Sequence, residues 1–171
     1  VDELNRQKME GLTLHPVYLR HYPQAKTLSH VVGYVGKRPP RLTGPIVNDE
    51  DLWGQAIGVD GLEQTFDAEL KGTPGRVNVV FEGDGTKVKE EVLSRPRPGF
   101  NVVTSIDLEM QKICEELLAE KMKRGAMVVM DVRNGDVMAM ASYPQFDPND
   151  FIPAITPDKY SVLVNDPAKP L

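Results

Sequence analysis

Histidines and carboxylates are the residues of this chain whose chemistry could support a metal site. His15, His21 and His30 are separated by six and nine residues, a spacing that matches no common ligand pattern, and no cysteine joins them. The run Asp49-Glu50-Asp51 could hold a cation through oxygen ligands, but three adjacent acids are more typical of a solvated loop. We therefore expect this chain to bind no metal and no cofactor.

The sequence motifs of covalent catalysis are missing. No serine is followed by lysine three residues later, and the sequence contains no Gly-x-Ser-x-Gly, no phosphate-binding loop and no His-Glu-x-x-His. The sequence therefore predicts no catalytic residue in this chain.

Two carboxylates nevertheless leave open a complete small hydrolase. Glu63 is followed by a helical pattern, where it could instead cap or pair, and Asp131 flanks a tight turn, where aspartate is favoured for backbone reasons. An unrelated extracellular interaction domain, of the adhesion or lectin type, is a further alternative.

Composition narrows the class of protein. The chain has 171 residues, 40% of them hydrophobic, and a net charge of −5 without a basic block, which argues against nucleic-acid binding. One cysteine excludes an internal disulfide, and Cys114 lies among apolar residues, which favours a core position over a reactive thiol. No apolar run reaches the roughly 18 residues that a membrane span needs.

The clearest pattern in the sequence covers residues 98–142. It predicts a strand over residues 99–106 and a helix over residues 107–124, with Gly125 as a left-handed residue that ends the helix. The helix should pack through one apolar face, formed by Ile106, Met110, Ile113, Cys114, Leu117 and Leu118.

Two apolar runs then predict an antiparallel hairpin. They cover residues 126–130 and 137–141, and Arg133-Asn134-Gly135 lies between them as a turn. Val128 and Val129 should therefore pair with the strand that holds Val137 and Met138. The runs hardly alternate, which suits strands buried on both faces, and the helix can cover only one face. We expect one face or edge of these strands to be left uncovered by the rest of the chain, so that either residues 143–171 are poorly ordered or the hairpin buries against a second copy.

The sequence pattern of the N-terminal half predicts a smaller α+β unit. Its predicted elements are a strand over 12–20, a helix over 25–32, a proline-rich loop over 37–54, a helix over 58–72 and a hairpin of 76–82 with 88–93. The helix that follows Gly61 should pack on the strands through Leu62, Phe66 and Leu70. Prolines at 96 and 98 make residues 94–98 the best candidate for a linker. We therefore expect an α+β chain in two parts, residues 1–97 and 98–171.

An ordered set of short motifs resembles the class B penicillin-binding proteins, most closely their elongation-type penicillin-binding protein 2 members. The set extends over essentially the whole chain in the family's order. Its members are Tyr22-Pro23, His30-Val31-Val32-Gly33-Tyr34-Val35-Gly36, Gly61-Leu62-Glu63, Leu70-Lys71-Gly72-Thr73-Pro74-Gly75, Pro98-Gly99, Thr104-Ser105-Ile106-Asp107 with Gln111, Asp131, Gly135, and Phe146-Asp147-Pro148-Asn149.

The resemblance implies a role and a location. Residues 1–97 would form the non-catalytic pedestal, or dimerisation domain, and residues 98–171 the start of a serine transpeptidase domain that penicillins acylate. The family's Ser-x-x-Lys follows a segment like residues 166–171, so the nucleophile would lie beyond this chain. The parent protein would cross-link peptidoglycan at the periplasmic face of the bacterial inner membrane, anchored by an upstream helix.

The resemblance also implies a partner, a glycan-polymerising membrane protein of the elongation machinery that engages the pedestal. Leu52 and Trp53 are the candidate anchors, because an apolar pair in a polar, proline-rich loop has the composition of an interface hot spot. A buried structural role for Trp53 is the alternative.

Overall fold

The computed structural model describes residues 19–37 and 56–171. Within those ranges the chain forms small antiparallel sheets and short helices, which confirms the predicted α+β class. The elements are α1 (Ser29–Val32), β1 (Val35–Lys37), β2 (Ala56–Gly58), α2 (Gly61–Thr65), α3 (Asp67–Leu70), β3 (Arg76–Phe81), β4 (Lys87–Ser94), α4 (Leu108–Lys121), β5 (Gly125–Met130), β6 (Val137–Tyr143), a 3-10 helix (Pro148–Phe151) and α5 (Pro157–Asn165).

Helix α4 packs on the β5–β6 hairpin and begins at a side-chain cap. The Asp107 carboxylate accepts a hydrogen bond from the Met110 backbone N–H at 2.9 Å, which satisfies one free amide of the first turn. Cys114 and Leu118 pack against Ala139 and Ala141 of β6, and together they form the core of this half. The core position predicted for Cys114 is therefore confirmed.

The prediction for this helix was wrong about the residue at which it ends and about part of the face that it buries. Met122 is already extended, so the helix ends at Lys121, and Gly125 opens β5 instead of capping the helix. Ile113 and Leu117 are 57% and 43% exposed, while the side chains buried against the sheet are Gln111, Cys114, Glu115 and Leu118. A narrow hairpin covers only one stripe of the helix, and that stripe includes two polar residues.

The β5–β6 hairpin confirms the predicted pairing. Val128 pairs with Met140 and Val129 with Ala139, and the turn closes through the Gly135 N–H, which donates to the Asp131 carbonyl at 2.8 Å. Gly135 has a φ of +83°, a conformation that side-chain-bearing residues rarely adopt. One face lies on α4. The other exposes Val128, Met130 and Met140 by 55%, 55% and 42%, as expected for a face that the helix does not reach.

Residues 99–106 do not form the predicted strand. The segment has no regular strand pairing, and it meets β6 only near its end, where the Ser105 hydroxyl donates to the Val137 carbonyl at 2.9 Å. The Asp107 N–H donates to the Met138 carbonyl at 2.8 Å. Two contacts at the end of the segment are enough to align α4 on the hairpin without a third strand.

The N-terminal half contains a strand pair that the sequence did not predict. Strand β1 pairs with β2 antiparallel, with Val35 opposite Gly58, so Gly58 ends a strand and does not begin a helix. The predicted helix over 58–72 is two short helices, because Phe66 departs from helical geometry and the Asp67 carboxylate accepts the Gly58 N–H at 2.8 Å. The predicted helix over 25–32 is likewise only its last turn, α1.

The hairpin β3–β4 is present as predicted but is exposed on both faces. Val77, Val80 and Phe81 are 44%, 43% and 55% exposed. The helix after Gly61 was expected to pack on these strands, but its main contacts are with β2 and α1. The predicted strand over 12–20 lies almost wholly outside the described residues, apart from Leu19 and Arg20, which are not in a strand.

The proposed linker is attached to the N-terminal half. Thr73 and Arg97 exchange two backbone hydrogen bonds, of 3.0 and 2.9 Å, in an isolated bridge. The Phe100 N–H donates to the Glu69 carbonyl at 2.8 Å. Residues 94–98 therefore follow the edge of the N-terminal half and are not a free tether.

Candidate functional site: the polar junction

Residues 20–34 contact three separate places in the C-terminal half, and we call these contacts, together with Glu63, the polar junction. The segment turns tightly before α1, with the Ala25 N–H donating to the Tyr22 carbonyl at 3.1 Å. Ala25 and Leu28 have φ values of +50° and +65°, so their backbone is held in a left-handed conformation. These turns direct backbone groups of the segment towards the C-terminal half.

The first contact pairs Tyr22 with Asn149. The Tyr22 N–H donates to Asn149 Oδ1 at 3.0 Å, and Asn149 Nδ2 donates to the Tyr22 carbonyl at 2.9 Å. One side-chain amide therefore satisfies both backbone groups of a single residue, as a neighbouring strand would. Asp147 holds the Asn149 side chain from the other side, accepting from Nδ2 at 3.0 Å.

Glu63 lies beneath this pair and is buried, with 5% exposure. Its carboxylate accepts hydrogen bonds from the Tyr22 hydroxyl at 3.1 Å and from Arg20 Nη2 at 3.0 Å. Burial, and then the nearby Glu63 charge, raise the pKa of the Tyr22 hydroxyl above its ordinary value. With its oxygens occupied in this way, Glu63 has the geometry of a structural ion pair and not of a hydrolytic base.

The backbone places Glu63 through a close approach between α1 and α2. Gly33 and Gly61 have φ values of +77° and +59°, and a Cβ on Gly33 would overlap the Asp60 carbonyl. Only glycine combines this conformation with this separation. Residues 30–36 and 61–63, two of the short motifs noted in the sequence, therefore meet here, which the sequence alone did not show.

The second contact is made by Glu115 of α4. Its Oε1 accepts from the Leu28 N–H at 2.9 Å and from Gln111 Nε2 at 2.6 Å. Gln111 is fully buried and also pairs with β6, where Nε2 donates to the Met140 carbonyl at 3.1 Å and Oε1 accepts the Met140 N–H at 2.8 Å. The chain Leu28–Glu115–Gln111–Met140 thus connects the N-terminal half to the sheet through buried polar groups.

The third contact consists of an aromatic cluster and a hydrogen bond made by one of its rings. Tyr34 stacks on Phe151 with ring centroids 4.0 Å apart, and Phe146 meets Tyr34 and His30 edge to face. His30 Nε2 lies 3.0 Å from the Pro170 carbonyl oxygen. Phe146 and Phe151 are buried against the N-terminal half, so the first part of residues 143–171 is packed.

Among the described residues, the other candidates do not assemble into a site. Leu52, Trp53 and His15 lie outside the described residues. Asp131 is in the hairpin turn, where hydrogen bonds from the Arg133 side chain and backbone lower its pKa. Residues 19–37 and 56–171 contain no group of three potential metal ligands.

A groove of about 630 Å³ runs beside the junction, between the N-terminal helices and residues 98–106. Arg20 and Glu63 are polar groups at its wall, and most of the remaining lining is apolar: Leu28, Val31, Val32, Leu62, Leu70, Pro98, Phe100, Val102 and Ile106. None of the helices in the described part of the chain is long and apolar enough to span a membrane.

A known family and known proteins match this sequence. The Penicillin-binding Protein dimerisation domain model matches residues 2–104. The peptidoglycan D,D-transpeptidase MrdA of Escherichia coli strain K12 is 34% identical over 172 aligned positions, which include 98% of this chain and 27% of that protein. The chain therefore spans about a quarter of the length of this relative.

Solved structures show the same likeness. A complex between penicillin-binding protein 2 and MreC from Helicobacter pylori has a TM-score of 0.65 and 31% identity, covering 88% of this chain and 28% of that chain. Penicillin-binding protein 2 of Pseudomonas aeruginosa in complex with WCK 5153 has a TM-score of 0.63 and 33% identity, covering 88% and 29%.

Proposed function

This chain belongs to the penicillin-binding proteins, with their dimerisation domain over residues 2–104, and we propose that it forms the pedestal and the first part of the transpeptidase domain of a peptidoglycan D,D-transpeptidase. In this role residues 1–97 are the pedestal and residues 98–171 open the catalytic domain. The activity of the whole protein would serve cell-wall synthesis and cell shape.

The polar junction is the observation that carries this proposal. A pedestal must hold the domain above it in one orientation, and contacts at three separated points restrict rotation far better than one linker. Asn149, Glu115 and Pro170 are such points, and each bonds to a residue between Tyr22 and His30. Buried polar pairs also favour one register over others, since displacement would leave each partner unsatisfied.

The chain itself is proposed to be non-catalytic. The sequence contains no Ser-x-x-Lys, and the buried carboxylates of Glu63 and Glu115 accept hydrogen bonds from neighbouring side chains and backbone. In the whole protein a serine beyond Leu171 would attack the D-Ala-D-Ala amide, and the lysine of the motif would take its proton.

A membrane-associated partner is proposed to engage the pedestal at the periplasmic face of the inner membrane. The Helicobacter pylori structure, whose protein is bound to MreC, supports contact with a component of the elongation machinery. A glycan-polymerising membrane protein is the further partner that we propose, with Leu52 and Trp53 as its anchors.

Labelling by a fluorescent penicillin tests the proposed function. The codons after Leu171 should encode Ser-x-x-Lys within about thirty residues. The longer protein should then be acylated, while chain 1–171 and the longer protein with that serine changed to alanine should not. Covalent labelling of chain 1–171, or no labelling of the longer protein, would contradict the proposal.

A further inference from the structure

His30 makes a hydrogen bond whose direction can be assigned. Its Nε2 lies 3.0 Å from the Pro170 carbonyl oxygen, which has no proton to give, so Nε2 carries the proton and donates. Pro170 is buried, and 140 residues separate the two partners. Without this donor the carbonyl of a buried residue would lose a hydrogen-bond partner, at a cost in free energy.

The imidazole ring is held in the orientation that this bond needs. Nδ1 lies 3.4 Å from the hydroxyl of Ser29, which is buried and can donate to it when Nε2 holds the proton. The ring also meets Phe146 edge to face, with centroids 5.4 Å apart and planes at 81°. His30 therefore has a fixed tautomer and a fixed direction.

The acceptor belongs to a short structured turn. The Lys169 N–H donates to the Asp166 carbonyl at 2.9 Å, and the Ala168 N–H donates to the Asp166 carboxylate at 2.8 Å. Because these bonds make residues 166–169 a unit, holding the next carbonyl also holds the unit. His30 is thus a direct connection from the N-terminal half to the last turn of this chain.

We propose that His30 is a positioning residue for the nucleophile of the whole transpeptidase. The inference rests on the proposed function, in which the Ser-x-x-Lys motif follows residues 166–171. His30 does not touch substrate: it fixes the Pro170 carbonyl, and so the start of the segment that presents the serine. A displacement of about 1 Å at a reacting atom can lower a rate by about 100-fold, so one such contact can matter for acylation.

Acylation kinetics of the longer protein test this inference. Four variants are compared with the wild type: His30→Ala, His30→Gln, His30→Asn and His21→Ala. A glutamine amide nitrogen reaches the place of Nε2 and can donate, whereas the asparagine nitrogen lies near the place of Nδ1 and cannot reach Pro170. His21 is exposed and serves as a control on the same segment.

We expect His30→Ala and His30→Asn to lower the rate constant for acylation by a fluorescent penicillin about 10- to 100-fold, with His30→Gln within about threefold of the wild type. The fraction of protein that is finally labelled should be unchanged, and His21→Ala should match the wild type. The rate constant reports positioning, while the final fraction reports how much protein is folded.

Equal rate constants in all variants would overturn the inference and leave the proposed function standing. So would a lower labelled fraction with an unchanged rate constant, because His30 would then only stabilise the fold. Equal loss in His30→Gln and His30→Asn would exclude the hydrogen bond as the cause. If the wild-type longer protein is not labelled at all, the proposed function fails and this inference fails with it.

Discussion

The polar junction and the exposed sheet faces differ in which side chains they bury: the junction buries polar side chains, whereas the sheet faces leave apolar side chains exposed. At the junction, polar side chains such as Gln111 and Glu63 are buried, and no buried side-chain nitrogen or oxygen of the described residues lacks a partner. In the β3–β4 hairpin the backbone is paired, but Val80 and Phe81 remain 43% and 55% exposed. The outer face of β5–β6 is similarly apolar and uncovered.

The hairpins are stabilised mainly by local contacts, and the polar junction by long-range contacts. A two-stranded hairpin in water is marginal by itself, and neighbouring residues and a turn specify it. The junction contacts between the two halves instead join residues more than 80 positions apart, and even Tyr22 and Glu63 are 41 positions apart, so these polar groups are satisfied only when the tertiary structure has formed. Substitutions at the junction should therefore cost far more stability than substitutions on the exposed faces.

Gln111→Leu should have the largest effect on stability. The change keeps the size of the side chain but leaves both backbone groups of Met140 without their partner, and Glu115 Oε1 keeps only the Leu28 N–H of its two donors. At about 1–3 kcal/mol for each unsatisfied buried group, we expect a loss of about 3 kcal/mol in the free energy of unfolding. Urea denaturation of chain 1–171 measures it.

Ile113→Gln is the matched control for Gln111→Leu on the same helix. Ile113 is 57% exposed, so the change should alter stability by less than about 0.5 kcal/mol. If the control were the more destabilising of the two, the buried face of α4 would be the apolar one that the sequence predicted, and the comparison would fail.

Tyr22→Phe should cost about 1–2 kcal/mol at neutral pH, because Glu63 loses a donor while keeping Arg20. The folded-state pKa of Tyr22 is raised, so this stabilisation is complete below the ordinary tyrosine pKa of about 10 and is lost as the pH rises above it. The stability difference between wild type and variant should therefore narrow above about pH 10.

Chemical denaturation at several pH values measures that narrowing. Tyr160→Phe is a suitable control, since Tyr160 is 48% exposed and the change should have little effect. A constant difference between wild type and Tyr22→Phe up to high pH would show that the Tyr22 hydroxyl is not buried beside Glu63.

Trp53→Ala addresses a residue outside the described part of the chain. If Trp53 is a partner anchor, the change should cost well below the ~3–5 kcal/mol of emptying a core site, while activation of the polymerising partner falls. Unfolding of chain 1–171 would instead make Trp53 a core residue. Unchanged stability with unchanged activation would remove Trp53 from the interface.

Val128→Thr should have the smallest effect on stability. Val128 is 55% exposed on the outer face of β5–β6, so the free energy of unfolding should change by less than about 0.5 kcal/mol. Binding of an apolar dye, and any self-association measured by sedimentation, should fall. A loss comparable to that of Gln111→Leu would show that this face is covered in solution.

Local signals determined several elements from the sequence alone. Asn134-Gly135 between two apolar runs specified the β5–β6 hairpin, because glycine adopts the left-handed conformation of its turn without strain. Asp107 marked the start of α4, since its carboxylate caps a backbone amide only three residues away. In each case the interacting groups are close in sequence, so the pattern of residues contains the necessary information.

Tertiary structure alone decided which polar groups are buried and with what they pair. Nothing near Gln111 in sequence shows that its amide meets Met140, and nothing near Asn149 shows that it pairs with Tyr22. The pairing of β1 with β2 was missed for the same reason. Val35 and Gly58 are distant in sequence, so no short hairpin turn marks these two strands as partners. Apolar periodicity predicts which residues prefer burial, but the area that the neighbouring elements can cover determines which residues are buried. Helix α4 shows the difference, because Ile113 is exposed and Gln111 is buried on the same helix.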